Sequence, residues 1–481
     1  MSRKSSVTQT GPTKVEVGSE IMTVRSNRVV LDNSIGPADI VIFDGKISDV
    51  LPKRIWARPN LEKILDVGDL VVMPGIIDPH VHICEPGCPA SEGFTCVTKA
   101  AAAGGITTIV DMPLHCNPTT TTLSALDTKI QFAKGQCHID VAFWGGIIPG
   151  NQAELLPMLK AGVPGFQCFL MATGVEDFSH LSLHDLHAAM NELQDTNCVL
   201  LFHAEQEPSQ WMPVQEDAVD TAEYSAFLGL RPDSMEVEAA LTIAELCLQY
   251  KVPCHILNLS SAQALPIIND ARQKGAPITV ETTLNYLSLT SECIPPGGTY
   301  YKCCPPIRGK VNQEQLWAAL KVGQIDMVVS AHRPCYQGLK DLDSGDFFKA
   351  RSGIASLQFG LPLFWTSAKS QGFSFHEIVK LMCKNPAILS RLEHCKGSLS
   401  PGMDADLVIW NPERQFKVNK DIIHHKHKLT PYMGFQLYGK VFATLIRGRL
   451  VYLNGKFAPT AQGDLVVPEK KMPSRVVLPY Y

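Results

Sequence analysis

The chain has 481 residues, 45% hydrophobic and 19% charged, with a formal net charge of −4. That is an ordinary globular composition, and it excludes a strongly basic nucleic-acid binder or a polybasic membrane-surface protein. No apolar run reaches the roughly 18 residues that a spanning helix needs.

The first stretch, "MSRKSSVTQTGPTKV", carries Arg3, Lys4 and Lys14 among several Ser and Thr, with no acid. Residues 1–20 are expected to form a flexible tail, although the same composition faintly resembles a mitochondrial presequence. No secretory signal is visible. The 15 cysteines are odd in number and scattered, with Cys303 and Cys304 adjacent. They read as free thiols in a reducing compartment. The cytoplasm is therefore the expected location, with the mitochondrion as the alternative.

Residues 21–73 turn like a small β unit, in which "ADIVIFDGKISDVLP" holds two strands about Asp44-Gly45. Eight apolar, β-rich segments follow, near 76–82, 106–112, 139–145, 165–170, 198–203, 253–259, 278–283 and 327–331. Helix-like stretches such as "SEGFTCVTKAAAAGG", "SMEVEAALTIAELCLQY" and "SSAQALPIINDARQKG" separate them. This alternation predicts an α/β fold, a (β/α)8 TIM barrel over residues 74–396. No sequence repeat suggests a solenoid. "DADLVIWNP" and "ATLIRGRLVYLNGKF" then return to short strands. Residues 397–458 are accordingly expected to join residues 21–73 in a composite β-sandwich built from both chain ends. Residues 459–481, ending "PEKKMPSRVVLPYY", are expected to be a C-terminal tail or intersubunit arm.

The chemistry begins in "GIIDPHVHICEPG", residues 75–87. His80 and His82 are two apart, so on a strand they point to one side and can share a metal ion. Catalytic groups of such barrels sit at the C-terminal ends of the strands. The fifth segment ends "LLFHAE", which places His203 at the same rim. A lone histidine on an apolar strand is usually a satisfied core residue. Three at strand ends, two of them with this spacing, indicate a metal centre.

With "AAAAGGITTIVDMP", "GFQCF", "FHAE", "LNLSSAQAL", "CCPPIRG", "SAHRPC" and "GSLSPGMDADLVIWNP" added, the chain resembles the cyclic amidohydrolases over roughly residues 20–457. That group includes hydantoinase, dihydropyrimidinase, dihydroorotase and allantoinase. "GIASLQFGLPLFW" and "IHHKHKLTPYMGFQLYGKVFATLIRGRLVY" look closest to the allantoinases, especially the vertebrate form. The resemblance implies an amidohydrolase-type barrel and a parental reaction, the hydrolysis of (S)-allantoin to allantoate in purine catabolism. It also implies two zinc ions per chain. Their ligands would be an HxH pair, a carboxylated lysine on strand four, histidines on strands five and six, and an aspartate on strand eight.

Carried over by position, His80, His82 and His203 match surviving ligands. The lysine position holds Gln167, the strand-six histidine position Asn258 and the aspartate position Ala331. A glutamine amide cannot be carboxylated, asparagine is a weak neutral ligand, and alanine supplies neither ligand nor proton shuttle. No catalytic group of the family is then intact. Strand parity turns the neighbours Cys168, His255 and His332 away from the cage. His180, His184 and His187 fall in a loop or helix after strand four, and His424 to His427 ("HHKH") read as a solvated basic loop. The expected substrate pocket includes Cys88, Leu284 and Asn285, which replace polar family residues.

The resemblance therefore implies an allantoinase-like amidohydrolase with an incomplete metal site, reduced or absent zinc and weak or lost activity. The alternative is a non-catalytic pseudoenzyme, a scaffold or oligomer partner like the metal-free dihydropyrimidinase-related proteins. A third reading is a mononuclear site of His80, His82 and His203. Allantoin would be the small-molecule substrate if the chain is active. A homotetramer is implied, with no nucleic-acid or membrane partner.

Overall fold

The computed structural model describes residues 16–52, 63–87, 90–208 and 219–467. Cys88 and residues 1–15 of the expected N-terminal tail lie outside them.

Three tight hairpins organise the chain ends. Asp44-Gly45 joins Ile35–Phe43 to Lys46–Pro52, with φ of 49° and 74°. Arg447-Gly448 joins Gln436–Ile446 to Arg449–Leu453 with φ of 44° and 73°. Asn454-Gly455 then leads into Lys456–Phe457. Two successive positive φ values give the turn whose twist matches antiparallel strands.

The short strand Val71–Pro74 joins the two ends of the chain. It pairs parallel with Thr23–Val30 and antiparallel with Leu407–Lys417, giving one nine-stranded sheet. Val24, Ile40, Val72, Leu407, Ile409 and Leu445 form its own small core.

The eight expected barrel strands are all present. They are Ile76–Val81, Ile106–Asp111, Asp140–Phe143, Gly165–Phe169, Val199–His203, Cys254–Leu257, Ile278–Thr283 and Met327–Val329. Neighbouring strands run parallel, and Gly145–Gly146 carries strand three across to strand four. The ring closes where Val81 bridges His332 in parallel. Gly165 cannot carry a side chain, because a Cβ there would lie 2.2 Å from the Val199 carbonyl oxygen. The three expected helices occupy Phe94–Ala103, Asp233–Tyr250 and Leu265–Gln273. No helix among the described residues is long and apolar enough to cross a membrane.

The first part of the expected C-terminal tail is not free. Strand three is the edge of its three-stranded group, which leaves the Val141 backbone open on one side. Val141 N–H donates to the Asp464 carbonyl, and Val466 N–H donates to the Val141 carbonyl. Residues 463–466 thus take the open edge, while residues 468–481 lie outside the described ones.

Candidate functional site

The strand ends open on a cleft of about 450 Å³ whose walls include His80, His82, Gln167, His203, Asn258 and Ala331. All six ligand-position residues therefore meet in one place, although they come from five strands. Asn285 also lines the cleft, and its side-chain oxygen accepts a hydrogen bond from the Tyr432 hydroxyl at 2.6 Å. Leu284 does not line it. Strand seven ends at Thr283 and Leu284–Ser288 is a helix, so the two-residue alternation stops there and Leu284 is fully buried in the core.

Beneath the HxH pair lies a carboxylate that strand reading did not reveal. His80 Nδ1 donates to Glu281 Oε1 at 2.5 Å, and His255 Nε2 donates to Glu281 Oε2 at 3.2 Å. Burial alone would raise the Glu281 carboxyl, yet His80 and His255 hold it at about 2. This anion fixes the His80 ring through its inner nitrogen. His255, His332 and Cys168 stay outside the cleft, as parity predicts. His332 Nδ1 accepts from the Ser356 and Leu357 backbone N–H groups. The sequence signal available for Glu281 was a buried acid inside an apolar strand, "ITVETT".

A similar pair supports strand five. Glu205 binds His203 Nε2 at 2.8 Å and Arg231 at 2.6 Å. Burial opposes its ionisation, but Arg231 and His203 hold it at about 2. In contrast, His82 Nδ1, Gln167 Oε1 and Asn258 Oδ1 are buried and have no hydrogen-bond partner among the described residues. Burial, then His115 and His80, then Arg333, push His82 well below the usual imidazole range.

The charge lining the cleft is one-sided. Among the described residues, no aspartate or glutamate lines it, whereas Arg231, Lys302, Arg333 and Arg351 do. His115 adds a further imidazole, its ring 5.4 Å from that of His82. These cations were missed at the sequence level. Arg333 was nonetheless visible within "SAHRPC".

The donors at the six expected ligand positions are three imidazoles and two amides, with no anion among them and Ala331 offering nothing. That set does not fit two divalent ions, which need anions to offset their dehydration. The ring nitrogens of His80, His82 and His203 do not all lie close together as placed. Among the described residues, the acidic cluster Asp140, Asp404 and Asp406 is the group that does gather. There the Lys396 ammonium bonds all three carboxylates and Arg447 bonds Asp140, so the positive charge is already supplied.

The HHKH segment is not a solvated loop. His425 is fully buried and its Nδ1 donates to the His427 carbonyl, while His427 Nε2 donates to the Ala90 carbonyl. His184 and His187 lie on the helix Leu183–Leu193, and His180 lies in the loop before it, away from the cleft. The 14 cysteines among the described residues are free thiols.

A family model described as the amidohydrolase family matches residues 71–451. The chain is 56% identical over 403 residues to a protein named "Allantoinase, mitochondrial" from Aquarana catesbeiana, covering 83% of this chain and 81% of that one. It is 41% identical over 446 residues to an allantoinase of Saccharomyces cerevisiae, covering 90% and 96%. Among solved structures, an L-hydantoinase from Arthrobacter aurescens superposes with a TM-score of 0.88 at 30% identity, covering 93% of this chain and all of that one.

Proposed function

The chain belongs to the amidohydrolase family and to its allantoinases, hydrolases of cyclic amides, and from that premise we propose an allantoinase-type enzyme with an incomplete metal site. On this reading the opening of (S)-allantoin to allantoate is weak or absent. The observation that carries it is the cleft itself, where Gln167, Asn258 and Ala331 join His80, His82 and His203 and, among the described residues, no carboxylate lines the wall, since Glu281 and Glu205 lie behind the histidines they bond.

The reasoning is electrostatic. The family's carboxylated lysine and aspartate are the two anions of its site, and Gln167 and Ala331 replace both. Imidazole and amide ligands offset little of the dehydration of two divalent ions. A cation at Arg333 in the same cleft opposes them further. His80, His82 and His203 remain as the residues that would hold zinc at reduced affinity.

A second reading is a non-catalytic member that acts through assembly, a homotetramer by family resemblance. What favours it is the contrast between an altered cleft and a fully formed barrel and composite sheet. For location, the name of the Aquarana relative and the acid-free, basic N-terminal stretch favour the mitochondrion over the cytoplasm.

The test is elemental analysis of purified protein together with an allantoin hydrolysis assay. Less than one divalent ion per chain and slow or undetectable turnover are expected. Two tightly bound ions with efficient turnover overturn the proposal.

A further inference from the structure

We propose that the apolar groove on the outside of the barrel, between the helices Leu265–Gln273 and Lys310–Lys321, is a docking site for residues 476–481 of the same chain. The inference is independent of the reading above, because the groove shares no residue with the strand-end cleft.

The first observation is the chemistry of the groove, which has a volume of about 620 Å³. Leu265, Pro266, Ala318 and Val322 form its apolar part, and amides such as Gln263 and Gln315 edge it. Among the described residues, no charged one lines it. Val322 is 70% exposed, so the margin of the groove presents a valine to water. Apolar surface beside uncharged amides suits a peptide, whose side chains cover the apolar part and whose backbone pairs with the amides. Residues 476–481, "VVLPYY", have that chemistry. None is charged, Val476, Val477 and Leu478 are aliphatic, and Pro479 favours extended backbone. Tyr480 and Tyr481 each offer an apolar ring with a polar tip for the amide edge.

The second observation is the place where the described chain leaves the barrel. Val467 packs on Gly162, the residue that ends the helix Gln152–Ala161. From there the helix layer runs through Leu183–Leu193 and Asp233–Tyr250 to Leu265–Gln273, each in contact with the next. At about 8–10 Å between neighbouring axes, the groove lies roughly 28–35 Å away. The fourteen residues 468–481 span at most about 46–50 Å. Leu478 to Tyr481 are therefore within reach of it. The charges along the way are complementary. Lys470, Lys471 and Arg475 precede the apolar run, while Glu192, Asp195 and Glu245 are exposed on or beside the two intervening helices. A tether of this length supplies an effective concentration of order 1 mM, so a groove of modest affinity is filled.

The experiment compares the full chain with one ending at Val467, which keeps residues 463–466 on strand three. A fluorescent synthetic peptide of residues 470–481 is titrated into both. The shortened chain is expected to bind it with a Kd of about 0.1 mM, and the full chain, its groove already filled, about tenfold more weakly. Ala318→Glu sets a charge against the apolar part of the groove. It should abolish binding to the shortened chain while leaving its cooperative melt in place. A peptide carrying Leu478→Asp should not bind either. Should the shortened chain or the Ala318→Glu variant not fold, a benzophenone photo-crosslinker at position 480 of the full chain gives the answer. It should mark residues 262–269 or 315–322 of its own molecule, with a yield unchanged on dilution. Equal peptide binding by the full and shortened chains, or binding that survives Ala318→Glu, overturns the inference. So do crosslinks that fall elsewhere, and so do crosslinks lost on dilution, which assign the groove to the tail of a second copy.

Discussion

Ala331 holds a backbone φ of 46° and Asn258 one of 55°, both in the left-handed region. Asparagine and aspartate adopt that region readily, whereas alanine has no side-chain compensation and is strained by about 1 kcal/mol. The backbone after strand eight thus has a shape that suits the aspartate which the family resemblance implies at this position. Ala331→Gly is therefore expected to be neutral or stabilising by up to about 1 kcal/mol in calorimetric melts. A loss larger than that counts against strain at this residue. Restoring chemistry is a different matter, because Gln167→Lys, Asn258→His and Ala331→Asp act only as a set. Each single change should leave metal content and allantoate formation near wild type, with zinc and bicarbonate supplied. The triple variant should gain metal and measurable activity, and a single variant matching the triple defeats the argument. Glu281 bears on stability instead. Glu281→Gln leaves His80 and His255 without their shared anion and should cost about 3 kcal/mol in urea unfolding. A cost within 0.5 kcal/mol, an order-of-magnitude threshold for an unimportant substitution, speaks against that role.

Elements were read well wherever one period held throughout. Alternation accounts for Cys168, which shares strand four with Gln167; His255 and His332 also stay out of the cleft, but strands six and eight end at Leu257 and Val329 and the chain turns left-handed at Asn258 and Ala331, so alternation is not the reason there. It failed at Leu284, where the strand becomes a helix after Thr283. It was silent about the HHKH segment, since His425 is buried against the rings of His332 and Phe359, while Lys426 and His427 bond Glu92 and Ala90, all from far along the chain. The C-terminal stretch misled for a related reason, as its polar, Gly-bearing sequence gives no hint of the open edge it covers. A chain ending at Thr460 would lose the backbone pairing at Val141 and the Asp464 contact to Arg447. Its thermal midpoint should fall below that of the full chain, and an identical midpoint excludes a structural role for residues 461–467. Lys396 belongs to the same junction. Lys396→Met would leave the three carboxylates with Arg447 on Asp140 and the part-exposed Lys46 on Asp404, and should cost about 3 kcal/mol. Chelator should leave the wild-type midpoint unchanged if Lys396, not a metal, neutralises this cluster.

At the scale of the whole molecule, the barrel and the composite sheet were legible because hydrophobic periodicity and turn chemistry are local. The links that decide the electrostatics are not local. His80 meets Glu281 across 201 residues, and Lys396 meets Asp140 across 256. Their combined effect is a response to acid. Burial holds His138 and His425 at about 4, and burial also pushes His82, His115 and His332 well below the usual range. A histidine with a lowered folded pKa takes up its proton more readily when unfolded, so stability falls as pH drops below about 6.5. Burial raises Asp78 to about 6 and Glu92 to about 7, and these act in the opposite direction as pH falls toward about 4. Five histidines against these two carboxyls predict a net loss of stability between pH 7 and pH 5. Below pH 4.5 the decline should steepen, because Glu205 and Glu281, held at about 2, are then protonated first in the unfolded chain. His425 alone accounts for about 2 kcal/mol of the difference between pH 7 and pH 5, as an upper figure. The check is urea unfolding of wild type and His425→Gln at both values. The variant, though less stable at pH 7, should lose less stability on acidification, and equal losses in the two proteins would refute the assignment of a neutral, buried His425.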